Sequence, residues 1–187
     1  MEHRTKLLSV LLLAIPSSLA AQERVFEDDK GILSLVVEND LFAGQDGNYT
    51  NGVRLAWLSS EEDMPEWVQR ASDFLPLAND GKKRISIAAG QSIFTPNELW
   101  RANIIADDRP YAGWLYGSFG LVSDTGKRMD NVLLTVGVVG PSSLAEQSQR
   151  FVHDITGSPD PYGWDNQLQN ELGVNLAYER KWRGLYE

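Results

Sequence analysis

Hydrophobicity along this chain alternates with a period of two, residue by residue. Leu33, Leu35 and Val37 alternate with Ser34, Val36 and Glu38, and Val53, Leu55 and Trp57 with Gly52, Arg54 and Ala56. Ile85, Ile87 and Ala89 alternate with Ser86, Ala88 and Gly90, and Leu115, Gly117, Phe119 and Leu121 with Tyr116, Ser118 and Gly120. Leu134, Val136 and Val138 follow the same rule, as do Leu172, Val174, Leu176 and Tyr178 against Gly173, Asn175 and Ala177. A strand points successive side chains to opposite faces, so each run makes a strand with one apolar face and one polar or small face. Six such strands predict an all-β, antiparallel protein.

Two architectures bury alternating strands. In a soluble sandwich the apolar faces meet each other. In an outer-membrane barrel they meet lipid, and the lumen is polar. Strands of about ten residues suit the bilayer, the polar faces are rich in Gly and Ser, and Trp57, Trp114, Tyr178 and Trp182 sit near strand ends as interface aromatics do. The pattern favours the barrel. Composition agrees: a formal charge of −9 argues against nucleic-acid binding, and the absence of Cys excludes a disulfide scaffold, a thiolate metal site and a cysteine nucleophile.

The first residues read as an export signal. Arg4 and Lys6 precede the apolar run Leu7 to Ile15, and Leu19-Ala20-Ala21 supplies small residues for cleavage. Residues 1–21 are expected to be removed, leaving 22–187 as the barrel portion of an exported protein. If the mature N-terminus starts in the periplasm, the connections at about 41–49, 93–112 and 140–168 lie on the outer face, and the turn Asp124-Thr125-Gly126-Lys127 lies inside. The connection between the second and third strands carries Pro65, Trp67, Val68, Ala71, Phe74 and Leu75, which suggests a short amphipathic helix at the barrel base or membrane surface. Six tilted strands do not close a membrane barrel. The sequence therefore reads as the N-terminal part of a longer barrel, or as a half that pairs with something else.

Candidate chemistry collects at the outer end. Once the signal is removed, His153 is the remaining imidazole and the natural base near neutral pH. It lies in a predicted helix after Gly140-Pro141, with Ser142 or Ser143 as N-cap and Leu144, Phe151, Val152 and Ile155 on one apolar side. Its other reading is a structural histidine. Glu38-Asn39-Asp40 ends the first strand and Tyr49-Thr50-Asn51-Gly52 opens the second; alternation puts Glu38, Asp40, Thr50 and Arg54 on the lumen face. Asn and Asp oxygens there suit a hard cation such as calcium, and equally suit an ordinary turn. Arg101 could bind a phosphate or stabilise an oxyanion. Arg109 and Tyr111 read better as a loop staple.

The strings Glu38-Asn39-Asp40, Tyr49-Thr50-Asn51-Gly52, Asp108-Arg109-Pro110-Tyr111-Ala112-Gly113-Trp114, Gly137-Val138-Val139-Gly140-Pro141 and Gly163-Trp164-Asp165-Asn166-Gln167 resemble the LpxR-type lipid A deacylases, in order from about residue 32 to 180. The resemblance implies a twelve-stranded outer-membrane barrel of which this is roughly the first half. It also implies an esterase that removes the 3′-linked acyloxyacyl group of lipid A, using Ca2+ and a histidine-activated water. By residue, it implies His153 as base, Asn39 and Asp40 at the calcium site, Thr50 as a positioning group and Arg101 where relatives carry Lys. Some relatives place an acidic and an aromatic residue soon after the His, where this chain reads Ser158-Pro159-Asp160-Pro161-Tyr162. Lipopolysaccharide would be the partner, and the full-length barrel a monomer. The alternatives are a non-enzymatic barrel, pore or structural, and a soluble periplasmic β-domain.

Overall fold

The computed structural model describes residues 31–39, 51–61, 63–74 and 80–184. The signal segment, Asp40 and Thr50 lie outside them. All six alternating runs are strands: β1 (Ile32–Asn39), β2 (Asn51–Leu58), β3 (Lys82–Phe94), β4 (Ala112–Asp124), β5 (Arg128–Val139) and β6 (Glu171–Trp182). They form one antiparallel sheet in sequence order, each pairing with the next. The β4–β5 turn is tight: Gly126 takes φ +85°, and its N–H donates to Asp124 Oδ1 at 2.8 Å. No helix among the described residues is long and apolar enough to cross a membrane.

The uninterrupted register sorts the side chains onto two faces. One carries Ser34, Ala56, Ala88, Ser118, Thr135 and Asn175 across a single row. Ser118 Oγ and Thr135 Oγ1 lie 2.9 Å apart on this face and share a hydrogen bond. Its aromatics lie over glycines of neighbouring strands. A Cβ added at Gly90 would meet Tyr116 Oη at 2.5 Å, and one at Gly137 would meet Trp114 Nε1 at 2.6 Å. Small residues here let the sheet roll toward this face while rings fill the space.

The opposite face is apolar and largely exposed. Its central row runs Leu33, Trp57, Ile87, Phe119, Leu134, Leu176. Two rows toward one end, the face stops being apolar: Lys83, Ser123, Asp130 and Arg180 stand in register. The buried Asp130 carboxylate there accepts from Arg128 Nε at 2.8 Å, Arg180 Nε at 2.6 Å and Tyr178 Oη at 2.7 Å. Toward the other end the apolar face runs to the row of Val53, Gln91, Leu115, Val138 and Leu172. Lys83 and Gln91 are eight residues apart on β3, or ~27 Å of strand. With a barrel tilt of about 40° that becomes ~21 Å, close to the height of an outer-membrane apolar band.

Both helices dock on this apolar face, at opposite ends. Helix α1 (Glu66–Asp73) lies in the expected β2–β3 connection, and its Val68 joins Met64, Ile85 and Leu121 in a small core flanked by Trp57. Helix α2 (Ala145–Thr156) follows β5 through a 3-10 turn at Pro141–Ser143.

Candidate functional site

Helix α2 sits where it does because a glycine lets it. Ile93 and Gly113 are register partners at the end of β3 and β4. A Cβ at Gly113 would collide with Ala145 Cβ and Ser143 Oγ, so this glycine is what admits the start of the helix. Gln91 Nε2, one row below, donates to Ser143 O at 2.7 Å. Gly140 closes the corner with φ +95°, and its N–H donates to Gly113 O at 3.0 Å. The helix is not capped by Ser142 or Ser143, as the sequence suggests. Ser143 Oγ instead donates to Gly140 O at 2.6 Å, and the capping residue is Leu144 in the left-handed region at φ 58°. The tight 3-10 turn turns Ser143 into the sheet, where its hydroxyl satisfies the corner rather than the helix, while Ser142 stays exposed and its N–H donates to Asn170 Oδ1 at 2.8 Å.

The side of α2 that meets the sheet also differs from expectation. The buried residues are Ala145 and Gln149. Leu144, Phe151, Val152 and Ile155 are exposed, Ile155 to 70 %. Close approach over Gly113 admits only a small residue, and the apolar side is left facing away from the sheet.

The Asp-Arg-Pro-Tyr-Ala-Gly-Trp string is a staple, as read for Arg109 and Tyr111. Tyr111 packs against Trp164 with ring centroids 4.9 Å apart and planes tilted by 55°, and both join Ile93 and Ala145 in a buried cluster. Tyr111 Oη donates to Leu99 O at 2.9 Å. Asp108 accepts from the Asn97 N–H and the Arg109 N–H, each at 2.8 Å, and these backbone donors hold its carboxyl below the usual range. Burial pushes the Tyr111 phenol up. Asn166 Nδ2 donates to Ala102 O at 2.7 Å, so the β3–β4 and β5–β6 connections are fastened to each other.

His153 is half-buried on α2, and its Nδ1 lies 2.6 Å from Pro159 O. A carbonyl accepts only, so Nδ1 is the donor in this contact, which leaves Nε2 as the ring nitrogen that can act as a base. One turn earlier stands a residue that the sequence reading did not single out. Gln149 Oε1 accepts from Trp164 Nε1 at 2.8 Å, while its Nε2 is buried with no hydrogen-bond partner among the described residues. An i, i+4 scan from His153 would have found it. Arg101 is exposed, with Nε paired to Glu98 Oε2 at 2.7 Å.

The family-level comparison decides the identity. The model for the family described as Outer membrane protein LpxR matches residues 7–187. The chain belongs to the LpxR family. No curated protein sequence matches it. Among solved structures it is similar to LpxR from Salmonella typhimurium, with a TM-score of 0.57 and 20% identity over 72% of this chain. The match covers 40% of that chain, so this sequence spans well under half of the solved LpxR. That likeness shows the fold.

Of the residues that the LpxR resemblance implied, His153 and Arg101 are described, and both belong to connections at the α2 end. Asn39 ends β1 at the same end: its register neighbour is Asn51, and Asn51 pairs with Ile93, under the start of α2. Two strand spacings, ~10 Å, therefore separate the Asn39 backbone from the strand that seats the helix. The helix bearing His153 docks on the apolar face. Of the rim residues that alternation assigns to the lumen face, Glu38 and Arg54 are described, and the register puts both on the small-residue face, opposite the helix. Among the described residues no group of three or more His, Cys, Asp or Glu could hold a metal. On the small-residue face, a separate cavity of about 770 Å³ opens between Phe94, Trp114, Val139 and the Asp107–Pro110 segment; His153 does not line it.

Proposed function

We propose that the chain is part of an outer-membrane esterase that removes the 3′-linked acyloxyacyl group of lipid A. The observation that carries this reading is His153. Its Nδ1 is anchored to Pro159 O, on a helix docked against the apolar face at one end of the sheet. With the α2 end outside, that placement meets lipid A where it resides, in the outer leaflet. An ester between headgroup and acyl chains then reaches the imidazole without leaving the membrane.

His153 Nε2 takes a proton from water, and the hydroxide adds to the ester carbonyl. The C–O bond breaks, and the imidazolium returns its proton to the departing sugar oxygen. Gln149 Nε2 is an unspent buried donor one turn away, suited to hold the water or the developing oxyanion. Arg101 offers a cation for a lipid A phosphate, its Nε already oriented by Glu98. Asn39 and Asp40 carry the oxygen chemistry that a hard cation takes, with Thr50 nearby in sequence to position them. Bound Ca2+ would supply charge stabilisation at the ester carbonyl.

The experiment is mass spectrometry of lipid A from cells expressing the full-length protein or its His153→Ala variant. Loss of the acyloxyacyl mass with the former and an intact lipid A with the latter support the reading. Unmodified lipid A in both cases removes the activity, and modification by the variant removes His153 as base.

A further inference from the structure

Helix α1 has three stripes, and the sheet uses one of them. Met64, Val68 and Ser72 are buried against the sheet. Glu66, Gln69, Arg70 and Asp73 form a polar side, with Arg70 paired to Glu66 at 3.3 Å. Trp67, Ala71 and Phe74 fall at i, i+4 and i+7 and are all exposed, Trp67 to 66 % and Phe74 to 86 %. Two large aromatics left outward, Trp67 on the eight-residue helix and Phe74 at its C-cap, are costly in water.

The position of α1 names what covers them. Trp67 stacks on Phe119, ring centroids 6.2 Å apart, and Phe119 belongs to the central row of the exposed apolar face. The outward stripe is thus continuous with the surface that a barrel gives to lipid. The polar side meets the charged row that ends that surface: Lys83 Nζ donates to Ser72 Oγ at 2.7 Å and pairs with Asp73 Oδ1 at 3.1 Å. A helix with one side on protein, one level with an apolar band and one level with its charged margin has the make-up of an interfacial anchor.

We infer that α1 lies in the headgroup region of the leaflet opposite α2, with Trp67 and Phe74 inserted among phospholipid acyl chains. This rests on the membrane-barrel reading of the sheet, not on the esterase. The helix then fixes how deep the barrel sits, and so holds α2 at the level of the other leaflet.

The natural chain has no Cys, so single cysteines report single sites. Trp67→Cys, Phe74→Cys, Glu66→Cys and Arg70→Cys are made in the full-length protein, with Leu134→Cys marking the apolar band. Each is labelled with a nitrobenzoxadiazole dye and reconstituted into phosphatidylcholine/phosphatidylglycerol vesicles carrying spin-labelled lipid, shallow-labelled to read positions 66, 67, 70 and 74 and deep-labelled to read position 134. Positions 67 and 74 are expected to emit to the blue and to be quenched about twofold or more over positions 66 and 70. Quenching at 134 without quenching at 67 and 74 overturns the anchor and leaves the barrel standing. Absence of quenching at all five sites overturns both. Equal quenching at 66, 67, 70 and 74 overturns the three-sided orientation on which the anchor depends.

Discussion

At the residue scale, His153, Gln149 and Trp164 form the unit on which the proposed chemistry rests. His153→Ala is expected to cost on the order of 10²–10⁴ in deacylation while the barrel assembles normally, because general-base catalysis contributes about that much. Lipid A mass and heat-modifiable gel migration, read together, check both halves of that statement. Gln149→Leu has a different signature. It strands the buried Trp164 indole N–H, which donates to Gln149 at 2.8 Å, at a cost of about 1–3 kcal/mol. Gln149→Glu keeps that acceptor and removes the spare amide donor. The two variants should therefore separate a stability loss from an activity loss, measured by denaturant midpoint and by deacylation rate.

At the scale of elements, α2 depends on a missing side chain in β4. Gly113→Ala drives a methyl into Ala145 and Ser143, an overpacking worth about 1–3 kcal/mol. The strand ladder does not need that glycine. Amide exchange should show α2 loosened while β3–β5 stay protected; uniform loss of protection across the sheet would sink this account. Asp108 gives the connection beside α2 a pH dependence. Its carboxyl is held below the ordinary carboxylate range, first by the Asn97 N–H and then by the Arg109 N–H. A lowered folded pKa gives stability that is full above the unfolded pKa and is lost as pH falls through the folded one. Protection of the Asn97 amide should therefore persist at neutral pH and fail only below the ordinary carboxylate range. Asp108→Asn should abolish that acid step.

At the scale of the whole molecule, the two faces make opposite demands. Leu134→Arg places a charge in the centre of the apolar row and is expected to cost about 2–4 kcal/mol of folding into membrane. Asn175→Lys, in the small-residue row, should be tolerated. Folding yields into vesicles compare the two; equal yields would contradict the lipid-facing assignment. The same opposition explains how legible the chain was. The strands could be read from Leu33 to Tyr178 because a sheet between lipid and a polar interior must alternate at every residue. Arg109 and Tyr111 could be read as a staple because a Pro-flanked loop with paired charges and aromatics has few other uses. The buried side of α2 could not be read: its apolar residues suggest that they pack, and in a membrane wall they need not.

The sequence alone determined the strands, their antiparallel order and the end at which His153 belongs, since alternation and turn spacing are local and repeat six times along the chain. Tertiary structure decided which face each helix takes, that Ser143 folds into a corner instead of capping α2, and that Gln149 is buried with a donor unspent among the described residues. Those outcomes depend on how near two backbones can approach. That distance is set by Gly113 on one strand and Ala145 more than thirty residues later, a pairing that no local pattern records.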